Sequence, residues 1–457
     1  MTSAEQTAAV AVTHDDEMAA RLQGARQASW AMATLSPQQK NQALEAFAAL
    51  LESGAERLLG ENQRDLDAQA GRIKPALYQR LKLDRGKLAQ LASGIRDVAA
   101  LEDPVGRVSL RTRLDDGLTL EKVSVPLGVI AIIFESRPDV IPQILSLALK
   151  SGNAVVLKGG SEALHSNRAF MALVKALGDA CPWLPPDWAQ LFESRDEIRR
   201  LLAFPEYVDL VIPRGSNELV QSIMAATRIP VLGHADGVCH VYVHARADLD
   251  KALELAIDAK IQYPAACNAA ETLLLDAAIA DAFLDRFAPR AAAVPIALKA
   301  CPRALAALTA RGLQAEPLSD PLASQTSTGD DPWRREYGEN TLAIAIVDSL
   351  EAAMAHINRH GSHHTDAIVT EEAAAAETFT RRVDSACVFV NASTRFADGF
   401  RFGFGAEVGI STAKTHARGP VGLDGLVIYK YLLRGEGHCV ARYVGEQARP
   451  FRHERLL

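Results

Sequence analysis

The strongest candidate for covalent chemistry lies in the segment 263–271, which reads YPAACNAAE. A predicted helix precedes this segment, and a predicted strand, 272–275, follows it. Pro264 ends the helix, because proline lacks an N–H donor and clashes with the preceding turn. Cys267 is therefore expected on a tight connection, with its sulfur facing a cleft where nearby cations or dipoles would make it a nucleophile. The alternative is that Cys267 is a small buried hydrophobe, which is the commonest fate of a free cysteine.

Composition and charge indicate a globular protein of two or three domains. The chain has 457 residues, of which 48% are hydrophobic and 23% charged, and its net charge of −7 provides no basic surface for nucleic acid or an anionic membrane. No apolar run reaches the roughly 18 residues that a membrane span needs. Acidic residues at 15–17 interrupt the region where a secretory signal would be apolar, and the six cysteines lack CxxC spacing. We therefore expect a reduced, cytoplasmic protein without a zinc site.

The elements that must position Cys267 predict an α/β fold. Residues 1–100 are predicted to be helical, and 108–127 alternate around an Asp-Gly turn, which is typical of a β-hairpin. Wholly apolar strands and helices then alternate over 128–233, which predicts a doubly wound parallel sheet that binds a nucleotide at the carboxyl ends of its strands. The predicted strands of this sheet are 129–133, 154–157, 188–192, 208–212 and 230–233. A second α/β block begins at Val241 and leads to Cys267.

Two short segments are candidates for phosphate binding in this sheet. No GxGxxG follows any of its strands, and Gly403-x-Gly405 has the wrong spacing and context for a dinucleotide. The segments 158–161 (KGGS) and 213–216 (PRGS) each follow an apolar strand, and the second opens a helix, where free N–H groups favour phosphate. Each signal is weak alone, because Gly-Ser after a strand is usually turn chemistry.

Two further polar segments follow in the second block. Residues 391–396 (NASTRF) form a polar loop after the predicted strand 388–390, which is a suitable place for ligand contact. His363 and His364 are reminiscent of metal ligands, but adjacent residues of a strand point to opposite faces. We therefore interpret both histidines as structural, and no metal is predicted.

Taken together, eight segments resemble the γ-glutamyl phosphate reductases, which belong to the aldehyde dehydrogenase superfamily. The resemblance covers roughly residues 30–430, and the combination is specific although no single segment is. The segments are 125–137 (VPLGVIAIIFESR), 158–161 (KGGS), 212–216 (IPRGS), 233–242 (GHADGVCHVY), 263–275 (YPAACNAAETLLL), 363–368 (HHTDAI), 391–396 (NASTRF) and 402–412 (FGFGAEVGIST).

The resemblance implies an aldehyde dehydrogenase-like α/β fold and a reductive activity. The reaction would convert L-γ-glutamyl 5-phosphate and NADPH into L-glutamate 5-semialdehyde, NADP and phosphate, the second step of proline biosynthesis from glutamate. Residues 1–107 and 128–238 would form a Rossmann-like NADP-binding domain, and 239–392 would form the α/β catalytic domain. Residues 108–127, with about 393–457, would form a β-hairpin oligomerisation element of a homo-oligomer, a dimer or tetramer.

The resemblance also assigns catalytic and substrate-binding residues. Cys267 matches the nucleophile that forms a thioester with the substrate. The tetrahedral oxyanion would be stabilised by the Cys267 N–H or by the loop of Ser136, where aldehyde dehydrogenases carry an oxyanion asparagine. Arg137 is a candidate for the leaving phosphate, and a structural salt bridge is an equally weighted alternative. The remaining candidates for the substrate are Asn268, Ser393, Thr394 and Arg395.

The cofactor candidates come from both α/β blocks. Lys158 matches the superfamily lysine that reaches the adenosine ribose, where a cation suits the 2′-phosphate of NADP. Glu336 aligns with the glutamate that holds the nicotinamide ribose, and its alternative is a solvated surface carboxylate. The remaining candidates are Gly159, Gly215 and Ser216 at the two strand-to-helix turns.

The most informative feature of the resemblance is a missing glutamate. Hydrolytic aldehyde dehydrogenases carry Glu-Leu-Gly-Gly where this chain has 233–236 (GHAD), and that glutamate activates the water that cleaves the thioester. Its absence favours reduction of the acyl enzyme. Asp236 is a possible substitute, so a hydrolytic or CoA-acylating aldehyde dehydrogenase stays an alternative. A scaffold that kept the fold without catalysis is the alternative of another class.

Two expectations concern partners and the end of the chain. No fused glutamate kinase domain is recognised, so a separate glutamate 5-kinase would supply the labile acyl phosphate, in a transient complex by hypothesis. The basic segment from about Val444 extends past the resemblance. It is expected to be an arm over a neighbouring subunit or disordered.

Overall fold

The computed structural model describes residues 3–233, 236–320 and 331–457. The chain forms two compact units. The first unit comprises Met1–Leu232, Phe404–Gly409 and Val421–Leu457, and the second comprises Gly233–Gly403 and Ile410–Pro420. Among the described residues, no helix is long and apolar enough to cross a membrane.

Helices and parallel strands alternate through most of the described chain. The helices are α1 (Ser3–Met32), α2 (Pro37–Ser53), α3 (Ala55–Gln69), α4 (Pro75–Leu81), α5 (Arg85–Ala100), α6 (Val140–Ser151), α7 (Leu164–Ala180), α8 (Arg195–Leu201), α9 (Asn217–Ala226), α10 (Leu249–Ile261), α11 (Ala280–Ala293), α12 (Pro302–Thr309), α13 (Leu350–His360) and α14 (Ala373–Arg382). The strands are β1 (Val108–Asp115), β2 (Leu118–Pro126), β3 (Val129–Phe134), β4 (Ala154–Lys158), β5 (Ala189–Phe192), β6 (Leu210–Arg214), β7 (Cys239–Val243), β8 (Ala270–Asp276), β9 (Ala297–Ala300), β10 (Glu316–Pro317), β11 (Thr341–Val347), β12 (Thr365–Val369), β13 (Cys387–Val390), β14 (Gly409–Ser411), β15 (Gly419–Val421), β16 (Val427–Arg434) and β17 (Glu454–Arg455).

The first unit contains the predicted doubly wound sheet, with strand order β5-β4-β3-β6 and parallel pairing throughout. Every residue of β3 is buried, as its wholly apolar sequence requires when helices cover both faces. The predicted strand 230–233 is wrong as a strand, because only Val231 bridges to Val211. Pro230 has no N–H to donate, so the pairing is limited to bonds on either side of Val211.

The predicted hairpin of β1 and β2 lies in the same unit within a four-stranded antiparallel sheet of order β16-β2-β1-β17. Gly117 takes a left-handed φ of +71° at the predicted turn. The tail from about Val444 folds back on its own hairpin, which corrects the expectation of disorder, whereas a contact with a neighbouring subunit stays a prediction. Its strand β17 pairs with β1, and Arg449 forms an ion pair with the buried Asp115 at 2.7 Å.

Strand β16 forms the other edge of this sheet and exposes Tyr431 and Leu433. Exposed edges invite pairing with another chain, and homo-oligomerisation through this sheet stays a prediction.

The second unit is built on a seven-stranded parallel sheet of order β10-β9-β11-β8-β7-β12-β13. Strand β8, which follows the Cys267 segment, is buried along its whole length and pairs with β7 and β11. Residues 393–403, which the sequence analysis grouped with the hairpin, lie in this unit. They are attached to it by side-chain hydrogen bonds such as that from Asn268 to the Ala397 carbonyl, 2.8 Å long.

The two adjacent histidines precede β12 and do not lie on a strand, which corrects the prediction of their environment. His363 has a left-handed φ of +61°, and its Nδ1 lies 2.6 Å from the carbonyl oxygen of Asp384. His364 is fully buried, with Nδ1 2.8 Å from the Thr365 hydroxyl. Both side chains are thus held within the protein. The described residues contain no cluster of three or more His, Cys, Asp or Glu side chains suited to a metal ion.

Candidate active site

Cys267 lies on the short connection between α10 and β8, as the sequence predicts. Helix α10 is capped by Asp248 at its start and ends at Ile261, three residues before Pro264. Two turns shape the connection, with Ala266 N–H donating to the Tyr263 carbonyl at 3.1 Å and Ala269 N–H to the Ala266 carbonyl at 2.9 Å. The Cys267 residue is half-buried, whereas Cys181, Cys239, Cys301 and Cys387 are buried and Cys439 is exposed.

The backbone of Gly237 packs directly against the Cys267 backbone. A Cβ atom at position 237 would lie 2.2 Å from the Cys267 carbonyl oxygen and 2.6 Å from its Cα. Only glycine permits this approach. The Cys239 thiol donates to the same carbonyl at 3.3 Å, and burial raises the pKa of Cys239 well above its ordinary value. Cys239 is thus a neutral structural thiol, and Cys301 and Cys387 of the same unit are buried, which leaves Cys267 as the candidate nucleophile of this unit.

The immediate surroundings of Cys267 suit an anionic sulfur and an oxyanion. The Cys267 N–H has no hydrogen-bond acceptor among the described residues, so it is available as a donor. The guanidinium of the buried Arg395 is held by a 2.9 Å bond from Nε to the Gln262 side chain. Burial lowers the pKa of Arg395, the neighbouring Arg401 cation lowers it further, and the negative charge of a Cys267 thiolate opposes the decrease.

The other predicted substrate residues are mostly buried. Asn268 is buried and uses its amide N–H to hold Ala397, while its Oδ1 has no partner among the described residues. The Ser393 hydroxyl accepts the Arg395 N–H at 3.3 Å and so caps the 3-10 helix 394–396. The Thr394 hydroxyl is buried without a described partner. The structure therefore brings these residues together beside Cys267, and their contact with substrate stays a prediction.

Glu336 also belongs to the Cys267 neighbourhood. Its Oε2 accepts the N–H of Gly237 at 2.9 Å, and the residue is half-buried. One carboxylate oxygen of Glu336 is therefore held by the backbone beside Cys267. Its predicted contact with the nicotinamide ribose remains a prediction.

A buried ion pair that the sequence analysis missed lies beneath this group. Lys260 Nζ lies 2.8 Å from Oε2 of Glu271, and both side chains are fully buried. Burial raises the pKa of Glu271 to about 7, and the lysine opposes that increase. The two residues are the last turn of α10 and the second residue of β8, so the pair joins the two ends of the Cys267 connection. No spacing in the sequence distinguishes this pair from two exposed charges.

The cofactor candidates of the first unit meet at the carboxyl ends of β3 and β4. Ser136 is buried with a strained φ of +40°, and its N–H and hydroxyl both donate to Oε1 of Glu162, at 2.7 and 2.5 Å. The Glu162 carboxylate thus occupies both donors of Ser136. The role of Ser136 in binding an oxyanion stays a prediction. A Cβ atom at Gly159 would lie 2.2 Å from the Asn167 amide nitrogen, so a larger residue there would displace the Asn167 side chain.

Lys158, the last residue of β4, is a half-buried cation. Its ammonium group makes no hydrogen bond or ion pair with any described residue. Burial lowers its pKa, whereas the Glu162 carboxylate raises it. A half-buried ammonium group without a partner is suited to an anionic ligand group.

The turn before α9 does not present a free N–H at Ser216, which corrects the prediction made from the 213–216 segment. The Ser216 N–H donates to Oε2 of Glu135 at 2.9 Å. Gly215 allows this contact, because a Cβ atom there would lie 2.5 Å from the same oxygen. Glu135 was part of a motif in the sequence, but nothing in the sequence indicated that it binds a neighbouring strand end.

The structure only partly describes two further predicted features, Arg137 and the segment 233–236. Arg137 is half-buried in the loop before α6. Both predicted roles, binding of the leaving phosphate and a structural ion pair, stay open. In the 233–236 segment, His234 and Ala235 lie outside the described residues, while Asp236 is half-buried.

Comparisons with known proteins agree with the fold and with these motifs. The model of the aldehyde dehydrogenase family matches residues 2–302. The γ-glutamyl phosphate reductase of Methanococcoides burtonii is 51% identical over 438 residues, which cover 94% of this chain and 95% of that protein. The γ-glutamyl phosphate reductase of a Synechococcus is 51% identical over 445 residues, which cover 96% of this chain and 94% of that protein.

A solved structure of a γ-glutamyl phosphate reductase also resembles this chain. The γ-glutamyl phosphate reductase of Thermotoga maritima has a TM-score of 0.86 and 35% identity, over 93% of this chain and 99% of that chain. The expected aldehyde dehydrogenase-like fold is confirmed. The chain therefore belongs to the aldehyde dehydrogenase family, among its γ-glutamyl phosphate reductases.

Proposed function

We propose that this chain catalyses the NADPH-dependent reduction of L-γ-glutamyl 5-phosphate to L-glutamate 5-semialdehyde with release of phosphate, the second step of proline biosynthesis from glutamate. One observation carries the proposal. The half-buried Cys267 has a backbone N–H without an acceptor among the described residues, and the buried Arg395 is bonded to Gln262, five residues before Cys267. The names of the relatives at 51% identity support the choice of substrate.

In this proposal Cys267 carries the acyl group. Its thiolate forms a bond to the acyl carbon, and the carbon–oxygen bond to phosphate breaks, so that phosphate leaves with the electron pair. The Cys267 N–H donates to the oxyanion of the tetrahedral intermediate. Arg395 stabilises the thiolate before attack and after the product leaves.

The residues of the chain fit a nicotinamide cofactor with a 2′-phosphate. Lys158 would hold that phosphate, because it is a half-buried cation without an ion-pair partner among the described residues. Glu336 would accept hydrogen bonds from the nicotinamide ribose hydroxyls. NADPH, when bound, supplies the hydride that reduces the thioester.

Replacing Lys158 with alanine should raise the KM for NADPH by about tenfold and leave the KM for NADH nearly unchanged. The reason is that only NADPH carries the phosphate that Lys158 would neutralise. Initial rates with both cofactors measure the effect. Equal changes for NADPH and NADH would contradict the assignment of Lys158 to the 2′-phosphate.

Water should attack the thioester slowly, because the glutamate base of the hydrolytic enzymes is missing, and the half-buried Asp236 stays the alternative base. Among the described residues, no carboxylate or imidazole hydrogen-bonds to the Cys267 sulfur. Glu336 is held by the Gly237 N–H, and Glu271 is held by Lys260. An acyl enzyme without a positioned base for water has time to be reduced.

The reverse reaction distinguishes the proposal from its alternatives. With glutamate 5-semialdehyde and NADP, we expect NADP reduction that depends strictly on added phosphate, because phosphate is the acceptor that releases the acyl group from Cys267. Arsenate serves as a positive control for the same acceptor site. Turnover in phosphate-free buffer, or only with CoA, would replace the proposal with a hydrolytic or CoA-acylating activity, and no turnover with intact NADPH binding would favour the scaffold.

A further inference from the structure

We propose that the buried Lys260–Glu271 ion pair positions Cys267 and Glu336 together for reaction. The inference deepens the proposed function and rests on it. Neither residue is assigned a chemical step, so both are positioning residues. The contacts form a closed path within the second unit that begins and ends at the Cys267 connection.

The first part of the path is the ion pair itself. Lys260 precedes Cys267 on α10 and Glu271 follows it on β8, so their 2.8 Å contact fastens both ends of the connection that carries the nucleophile. Both side chains are fully buried. Desolvation of a buried ion pair often cancels its mutual attraction, so stability alone does not explain the pair, whereas fixing one geometry does.

The second part of the path leads from Glu271 to Glu336. The second oxygen of Glu271, Oε1, accepts the N–H of Gly338 at 3.3 Å. Gly338 has a left-handed φ of +64°, which sets the direction of the segment that carries Glu336 two residues earlier. The Glu271 carboxylate thus holds the backbone that presents Glu336.

The third part of the path returns to the nucleophile. Glu336 Oε2 accepts the Gly237 N–H at 2.9 Å, and Gly237 packs against the Cys267 backbone so closely that a Cβ atom would overlap it. The Glu271 carboxylate therefore supports Cys267 in two ways. It binds Lys260 across the Cys267 connection, and it holds the Gly338 backbone next to Glu336, which binds Gly237. Its removal should displace both groups at once.

Two double variants separate this role from simple stability. Lys260→Met/Glu271→Met removes both charges and the acceptor for the Gly338 N–H, whereas Lys260→Met/Glu271→Gln removes the charges and keeps an oxygen for that N–H. Both replace the whole pair, so neither leaves a buried charge alone. We expect the Met/Met variant to lose about tenfold or more in kcat and to raise the KM for NADPH several-fold, because misplacement of reacting groups is costly. The Met/Gln variant should recover the KM for NADPH, because the acceptor for the Gly338 N–H is kept, and should retain most of the loss in kcat, because the ion pair is still missing.

A second readout does not depend on turnover. The rate of Cys267 alkylation by iodoacetamide, followed by peptide mass spectrometry, should fall several-fold in the Met/Met variant, because the displaced sulfur loses the stabilising charge of Arg395. The control is Lys251→Met/Glu371→Met, which removes an exposed pair joined at 2.6 Å and should change neither kinetics nor alkylation.

The outcomes are decisive in each direction. Wild-type kcat, KM and alkylation rate in a folded Met/Met variant would overturn the inference, as would a wild-type kcat in the Met/Gln variant or an equal increase of its KM for NADPH. If the Met/Met variant does not fold, Gly338→Ala tests the same link, since a Cβ atom there meets nothing within 4 Å and only its left-handed backbone is disturbed. Unchanged kinetics in Gly338→Ala would then overturn it. An inactive wild-type enzyme would refute the proposed function, while the alkylation rates would still judge the positioning role.

Discussion

Replacement of Cys267 by alanine should lower the reduction of γ-glutamyl phosphate by at least about a thousand-fold, while NADPH binding stays near the wild-type level. The reason is that no other group of the second unit can take over the acyl group. Cys239, the neighbouring thiol, is buried, donates to the Cys267 carbonyl and is kept neutral by its raised pKa. Initial rates with substrate generated by a kinase, and NADPH fluorescence titration, measure the two quantities.

Serine at position 267 should restore little of this activity. A serine hydroxyl needs a base to attack an acyl group, and among the described residues no imidazole or carboxylate lies at hydrogen-bond distance from the Cys267 sulfur. The matched control is Cys439→Ala, which removes the exposed thiol of the first unit and should keep full activity. Substantial reduction by either Cys267 variant would show that the acyl group is transferred without this sulfur.

Replacement of Gly237 by alanine should lower kcat/KM by about a hundred-fold or more, because a shift of about 1 Å at the reacting atom is enough for that loss. The added Cβ atom would lie 2.2 Å from the Cys267 carbonyl oxygen, so the two backbones must separate. The same shift would weaken the Gly237 N–H bond to Glu336. Steady-state kinetics measures the loss, and circular dichroism checks that the variant is folded.

A glycine of the same chain provides the control for this variant. Gly178 lies in α7, and a Cβ atom there meets nothing within 4 Å. Gly178→Ala should therefore keep wild-type kinetics and gain slightly in stability, as alanine does in helices. Wild-type kcat/KM in a folded Gly237→Ala enzyme would contradict the tight packing that we assign to this position.

The fold was accessible from the sequence because apolar patterns decide it. The wholly apolar run of β3 can be stable only under helices on both faces, and the Asp-Gly pair at 116–117 fits only a tight turn. The failure at 230–233 has the opposite cause. An apolar run predicts burial, but Pro230 has no N–H for a strand-pairing bond beyond the two at Val211.

The sequence predicted the nucleophile of the candidate site but not all of the charged residues of that site. Cys267 was found because its residue type and the preceding Pro264 are local signals. Glu135 and Glu162 were not found, because their hydrogen bonds join neighbouring strand ends that are far apart in the chain. The Lys260–Glu271 pair was missed for another reason, since charge alone does not reveal that two side chains are fully buried.

Peptide mass spectrometry of the enzyme incubated with γ-glutamyl phosphate in the absence of NADPH tests the central claim most directly. The account predicts a γ-glutamyl group attached to Cys267, removed again by added NADPH and never formed in Cys267→Ala. Semialdehyde production by an enzyme whose Cys267 stays unmodified throughout turnover would contradict it.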